Sequence, residues 1–214
     1  MTSIVGRGIR IEFGTVEGAA KTVSAITQAD PGVATSTAHG LANDSVGYLS
    51  SVEGMVNLEG QACRIQNQAT NTFELEDIVT TNLPAFTGTA LFTPITTFST
   101  LGRITSYSIG GGEGEKLDDT VLLDNIKQEL QGLLAAQTVT FNLNALTISD
   151  TAMATLRRGA RESAYYVFRI TLNDGNVRVF RGQPSLPGED VQKGAIGTGT
   201  FSVTVKGFII EGAA

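Results

Sequence analysis

The sequence predicts a mainly β protein, a β-sandwich or barrel with one short α-helix flanking the sheet and a small all-β unit inserted into it. Three observations point that way. Glycine is high, tryptophan is absent and only 17% of residues are charged, while threonine, valine and serine recur in short runs bounded by glycine. Apolar and polar residues alternate over several segments, the pattern of strands buried on one face. The net charge of −6 is also unevenly spread: residues 1–26 sum to +1, residues 27–95 to −6 and residues 96–214 to −1. Such asymmetry marks a boundary. It divides the chain into a discontinuous core, residues 1–26 and 96–214, and an inserted β unit, residues 27–95.

Residues 27–95 read as short strands separated by turn signals: "VATST" before "HGLANDS", "VGYLSSV" before "EGM", "ACRIQ" before "NQATN", then "TFELE", and "TALFT" after "LPAFTG". Cys63 and Ile65 share one face of their strand, as do Phe73 and Leu75 of the next. In the core segments, "TVTFNLNA" places Val139, Phe141, Leu143 and Ala145 on one face and Thr138, Thr140, Asn142 and Asn144 on the other. "SDTAMATLRRGARE" predicts the helix, with Ser149 as N-cap, Met153, Leu156 and Ala160 along one side, and Arg158 set to pair with Glu162 one turn on. "AYYVFRITL" and "NVRVFRG" predict a hairpin at Asp174-Gly175, a dipeptide suited to a type I′ turn in which both central residues take positive φ. Tyr166, Phe168, Ile170 and Leu172 face one way and Arg169 and Thr171 the other. "TGTFSVTVKGFII" closes the pattern with Phe201, Val203 and Val205 on one face.

No strong chemistry accompanies these strands. The chain has one histidine, His39, and one cysteine, Cys63. A nucleophilic pair would need a third orienting group and an oxyanion hole, whereas His39 stands before a turn and Cys63 at an inward strand position, where a thiol acts as a small hydrophobe. One histidine and one cysteine without clustered carboxylates supply no zinc set, and a single cysteine forms no internal disulfide, which suits synthesis in a reducing cytoplasm. No cofactor is implied. "SIGGGEGEKLDD" lacks the Lys-Ser/Thr of a phosphate loop, and its Glu113, Glu115, Asp118 and Asp119 would repel a nucleotide. It reads as a solvated loop. "RRGAR" has no interleaved aromatic to stack bases. The first residues contain no signal-peptide run, and nowhere do about 18 apolar residues stand together. Neither export nor membrane insertion is expected.

The order of motifs carries more information. "TLGRITSYSIGGGEGEKLDDTVLLDNIKQELQGLL", "TVTFNLNALTISD", "YYVFRITLNDGNVRVFRGQ" and "GTGTFSVTVKGFIIEG" together resemble the tail tube proteins of long, non-contractile-tailed bacteriophages. The shared order is a Gly-rich acidic loop, an Asp-x-Thr-x-Leu segment (Asp118, Thr120, Leu122), Gly132-Leu133, a Val-Thr-Phe strand, a short helix, a hairpin and a last strand ending Val-Lys-Gly. The middle segment resembles a small β module similar to the first catalytic-cysteine half-domain of ubiquitin-activating enzymes, through His39-Gly40-Leu41, Gly54-Met55, Leu58 and Asn71-Thr72-Phe73. That half-domain does not carry the transferring cysteine, so the likeness gives Cys63 no role.

The tail tube resemblance implies a structural virion protein without enzyme activity. Such subunits form homohexameric rings whose sheets join edge to edge, and the rings stack into a tube that conducts DNA without holding it tightly. The implied partners are other copies of the chain and the tape measure, tail terminator and tail tip proteins, in a virion tail built in the host cytoplasm. Ring closure would also hide the long strands 164–173 and 198–210, hazardous as open edges. Asp118, Thr120, Leu122, Leu123 and Ile126 are the implied contacts between rings or subunits. Thr138, Thr140, Asn142 and Asn144, uncharged as a DNA conduit requires, are the implied lumen face. The inserted unit is expected on the outer surface, peripheral enough to be deleted. A carbohydrate-binding or adhesion module, an enzyme using His39, and a tube subunit of a contractile tail or tail-like particle remain the alternatives.

Overall fold

A computed structural model describes residues 8–121, 125–144 and 150–213. In chain order the strands are β1 (Arg10–Glu17), β2 (Lys21–Val23), β3 (Ala25–Ile26), β4 (Gly32–Thr35), β5 (Val46–Ser50), β6 (Ala62–Gln66), β7 (Thr72–Leu75), β8 (Ala90–Thr100) and β9 (Ile104–Gly110). There follow β10 (Gly114–Asp118), β11 (Glu129–Leu134), β12 (Thr138–Asn144), helix α1 (Thr151–Arg161), β13 (Tyr166–Thr171), β14 (Val177–Pro184), β15 (Gly188–Asp190) and β16 (Thr198–Gly212). The protein is mainly β with one short helix.

Fourteen strands form one antiparallel sheet that curls into a half-barrel, in the order β3-β4-β7-β6-β5-β8-β1-β13-β14-β16-β12-β9, with β2 beside β8 and β15 beside β16. β10 and β11 pair separately as a two-stranded arm. The long strands expected to be hazardous edges are interior: β13 lies between β1 and β14, and β16 between β14 and β12. Local pattern does not reveal pairing partners. The edges of the main path are the very short β3 and, at the other end, β9.

Two apolar clusters hold the sheet. In one, Phe13, Phe141, Phe168, Phe180 and Phe201 are fully buried on the face that α1 covers with Met153 and Leu156. Phe141 stacks on Phe201 at 4.9 Å and Phe168 on Phe180 at 5.2 Å. The other cluster unites Leu49, Met55, Ile65, Phe73 and Phe92 with Val167, Val179 and Ile210. Those last three belong to β13, β14 and β16, on the face opposite the phenylalanine stack. Both faces of β13 are therefore buried where alternation predicted only one.

Residues 27–95 consequently sit against the back of the core sheet. The strand β8 runs without a break across residue 95, pairing with β5 at Pro94 and with β1 from Ile95 onward. Buried Gln61 accepts the Phe208 N–H at 2.8 Å and donates to the Phe208 carbonyl at 2.9 Å. Gly207, at φ 80°, makes the bend in β16 that this clamp holds, and a Cβ there would lie 2.1 Å from the Gln61 Oε1. Arg64 bridges Asp44 and Glu76 and donates to the Ala213 carbonyl at 2.8 Å. Arg181 of β14 lies 4.0 Å over the Tyr48 ring and 5.2 Å over Tyr165. The segment is integrated with the core rather than hung from it, which removes the basis for expecting its deletion to be harmless.

Across the sheet, Glu12 is 1% exposed and takes two hydrogen bonds from Arg169, at 3.0 and 2.7 Å, with Arg10 at 2.5 Å. The Arg169 guanidinium also stacks 4.2 Å from the Phe98 centroid, so β1, β8 and β13 are locked together by one charge network.

Two local expectations differ in detail. The helix cap is Asp150, whose carboxylate accepts the N–H groups of Ala152 and Met153 at 3.0 and 3.3 Å, and not Ser149, which lies outside the described residues. Both residue types cap well, and one position separates the expected cap from the observed one. The expected pair of Arg158 with Glu162 is present at 2.9 Å. Asp150→Ala is expected to cost about 1 kcal/mol, read as a lower urea midpoint at unchanged slope. At the β13–β14 turn, Gly175 alone takes positive φ, at 89°, so the turn is not type I′. The Asp174 carboxylate accepts the Asn176 N–H at 3.0 Å, and this side-chain bond supports a wider turn instead.

Candidate functional site

The sole histidine is buried and occupied. His39 Nε2 lies 2.8 Å from the Ala69 carbonyl, Nδ1 accepts the Leu41 N–H at 3.0 Å, and the ring packs edge-on against Phe73. It fastens the loop between β4 and β5. Cys63 is fully buried, burial pushes its thiol pKa upward, and its S–H points to the Gln61 carbonyl at 3.6 Å. Neither imidazole nitrogen is left to serve this thiol as a base. Among the described residues no group of His, Cys, Asp and Glu is arranged to hold a metal ion, and no helix is long and apolar enough to cross a membrane. A groove of about 360 Å³ between the start of β1 and β9 is lined by Ile9, Ile11, Leu101, Ile104 and Tyr107, with Arg10 its only charged residue. Its lining holds no carboxylate, histidine or cysteine.

The distinctive surfaces are of another kind. Val139, Phe141 and Leu143 of β12 enter the phenylalanine core, and Thr138, Thr140, Asn142 and Asn144 point the opposite way. Register extends that second face over the neighbouring strands. Thr138, Thr140, Asn142 and Asn144 stand opposite Thr204, Ser202, Thr200 and Thr198 of β16, and Thr140 and Asn142 opposite Ser108 and Ser106 of β9. Asn142 donates to the Ser106 hydroxyl at 2.9 Å and accepts from Thr200 at 3.2 Å, while Ser202 bonds to Ser185. These ten positions form a three-strand patch of hydroxyls and amides without a charge, bordered on the same face by Lys206 opposite Arg181 and by Asp190 opposite Thr198. Sequence alternation located its β12 row; the β9 and β16 rows needed the register.

The Gly-rich stretch expected to be a solvated loop is largely an arm. Gly111 and Gly112, at φ 82° and 79°, turn the chain out of β9 into β10, which pairs with β11 before β12 begins. Lys116 and Lys127 hold Glu129 from two sides, at 3.2 and 2.9 Å, and these bonds keep the Glu129 carboxyl below its usual pKa. Asp118 accepts the Thr120 N–H at 3.0 Å, and bonding from Thr120 likewise lowers its pKa. The Thr120 hydroxyl in turn accepts the Gln128 N–H at 3.0 Å. Asp118 and Thr120 thus shape the arm's end. The arm exposes Leu117, Val121, Ile126, Leu130, Leu133 and Leu134, with Ile126 at 75% and Leu133 at 86%. Leu122 and Leu123 lie outside the described residues. The arm escaped sequence reading because its apolar residues are exposed on both strands and follow no two-residue period.

Among the described residues β9 has no strand on its outer side, and the apolar arm beside it is exposed, so the fold presents surfaces suited to association. The model of the phage tail tube protein family matches residues 53–207, and the chain belongs to that family. Its place is therefore structural, in a tube of the virion tail, assembled with other tail proteins. No curated protein matches the chain.

Proposed function

We propose that the protein forms homohexameric rings that stack into the tube of a long, non-contractile tail, through which DNA passes into the host cell. The observation that carries this reading is the uncharged hydroxyl and amide face spanning β9, β12 and β16. A conduit must wet its cargo without gripping it. Cationic walls would bind phosphates by releasing counterions, and a dense hydroxyl surface avoids that attraction. Thr138, Thr140, Asn142 and Asn144 are assigned to the lumen. The outer edge of β9, unpaired among the described residues, supplies main-chain groups for joining a neighbouring subunit's sheet, as closure into a barrel requires. The arm residues Asp118, Thr120, Leu122, Leu123 and Ile126 are assigned to contacts between subunits or rings, with a tape measure, a terminator and a tail tip protein as further partners. Residues 27–95 are assigned, as a small inserted β unit similar to the half-domain named above, to the outer surface of the tube; because they cover β13, β14 and the Ile210 end of β16 on the same side of the sheet as the hydroxyl face, this place requires the sheet to turn away from the channel beyond β12 and the Thr198–Thr204 part of β16.

The test is electron microscopy of the protein concentrated with and without tail tips. Sixfold rings stacked around an open channel, with β12 facing the channel, are the expected result. Solid fibres, or tubes whose hydroxyl face points outward, would overturn the assignment.

A further inference from the structure

Two protrusions lie at opposite ends of β12. At the Thr138 end, paired with Gly110 and Thr204, the chain leaves for the β10–β11 arm. At the Asn144 end, paired with Thr198, the β15–β16 hairpin extends past the sheet, since Gly188–Asp190 pairs with Thr198–Thr200 and residues 191–197 form its tip. Six residues of strand separate these roots, about 20 Å along β12. The hydroxyl face lies between them.

The two protrusions complement each other. The arm is apolar and acidic: Lys116 and Lys127 are taken up by Glu129, while Glu113, Glu115 and Asp119 stay exposed beside Leu117, Leu130 and Leu133. The hairpin tip is apolar and weakly basic. Val191 is 74% and Ile196 65% exposed, next to the exposed Lys193. Glu189 is engaged by Arg157 at 2.8 Å, and the exposed Arg103, whose carbonyl accepts the Asn144 N–H at 3.0 Å, adds a second cation at this end of β12, so that with Asp190 the end carries a net positive charge of one.

We propose that the acidic arm of one copy docks on the residue 191–197 tip of a second copy in the next ring, with Val191 and Ile196 receiving the arm's leucines and Lys193 and Arg103 meeting its carboxylates. The proposal rests on the tube reading and names the receiving surface. A contact between two different patches at opposite ends of one chain is head-to-tail, so every addition regenerates a free arm and a free tip, and growth stays open and directional.

Mixed assembly tests it. One chain carries Leu130→Asp and Leu133→Asp in the arm, another Val191→Asp and Ile196→Asp at the tip. All four positions are exposed. Circular dichroism and thermal melting check that each variant folds, and Ile196→Ser replaces the tip variant if it does not. Each variant alone is expected to raise the critical concentration for tube growth by about tenfold or more, the ratio for losing one buried aliphatic contact. Their equimolar mixture should yield paired rings in sedimentation and microscopy, since the tip-defective chain keeps a working arm and the arm-defective chain a working tip. A tip variant that lengthens tubes as the wild type does, or a mixture no larger than its components, overturns the docking. Failure of the wild type itself to form tubes sinks the tube reading instead, so the two failures are told apart.

Discussion

Removing residues 28–94 is expected to leave a chain that aggregates instead of a trimmed, soluble tube subunit. The deletion takes away the layer over Val167, Val179 and Ile210, each no more than 3% exposed. Uncovering a buried aliphatic side chain costs about 1.5 to 3 kcal/mol, so three such residues approach the whole stability of a typical domain, roughly 5 to 15 kcal/mol. The deletion also removes Gln61, leaving the backbone of Phe208 without its two bonds, and Arg64, which holds the end of the chain. Soluble yield and size-exclusion profile are the readouts. A soluble monomer melting near the wild-type temperature would mean that the core sheet stands alone. Replacing the three uncovered residues with threonine in the deleted chain should recover part of the yield, which separates lost cover from general misfolding.

Phe168→Ala should destabilise the protein by about 3 to 5 kcal/mol. Phe168 is fully buried and touches Phe180 at 5.2 Å, Phe13 at 6.2 Å and Phe141 at 6.3 Å, so its loss opens a cavity among rings held from three strands. Rigid strands on either side leave the site little room to collapse. Urea unfolding followed by circular dichroism measures the change, with Phe208→Ala as the internal comparison. Phe208 is 62% exposed, and its removal should shift the midpoint far less. Equal shifts for the two variants would show that the stacked rings are not the centre of the fold.

The elements best read from sequence are those whose two faces meet different media. β12 is clear because Val139, Phe141 and Leu143 face a core and its threonines and asparagines face water. α1 is clear for the same reason, with Met153 and Leu156 inward and Arg158 outward. β13 is only half legible: Phe168 and Ile170 alternate with Arg169 and Thr171, but Val167, on the Arg169 side, is buried too, against a segment that local pattern does not bring there. The arm is invisible because neither of its faces meets a core in the single chain. Which strands are neighbours is a property of distant pairing, so the interior places of β13 and β16, and the hydroxyl rows that β9 and β16 add to β12, emerge only with the register. Of the residues assigned to contacts, Asp118 and Thr120 have a plain local role at the arm's end, and Ile126 stands exposed upon it.

The central place of β1 bears on when the chain can fold at all. Arg10 pairs with Thr171 and Phe13 with Phe168, so β1 waits for a strand that follows it by about 155 residues. β8 can claim one edge of β1 early, but the phenylalanine core remains open until β13, β14 and β16 have emerged. Closing loops of that length is slow, and sheets dominated by distant pairings take milliseconds to seconds to form. A truncated chain has neither a closed core nor the β15–β16 hairpin. Closure of the core and the surface proposed to receive the next ring's arm therefore arise together, from β13 to β16.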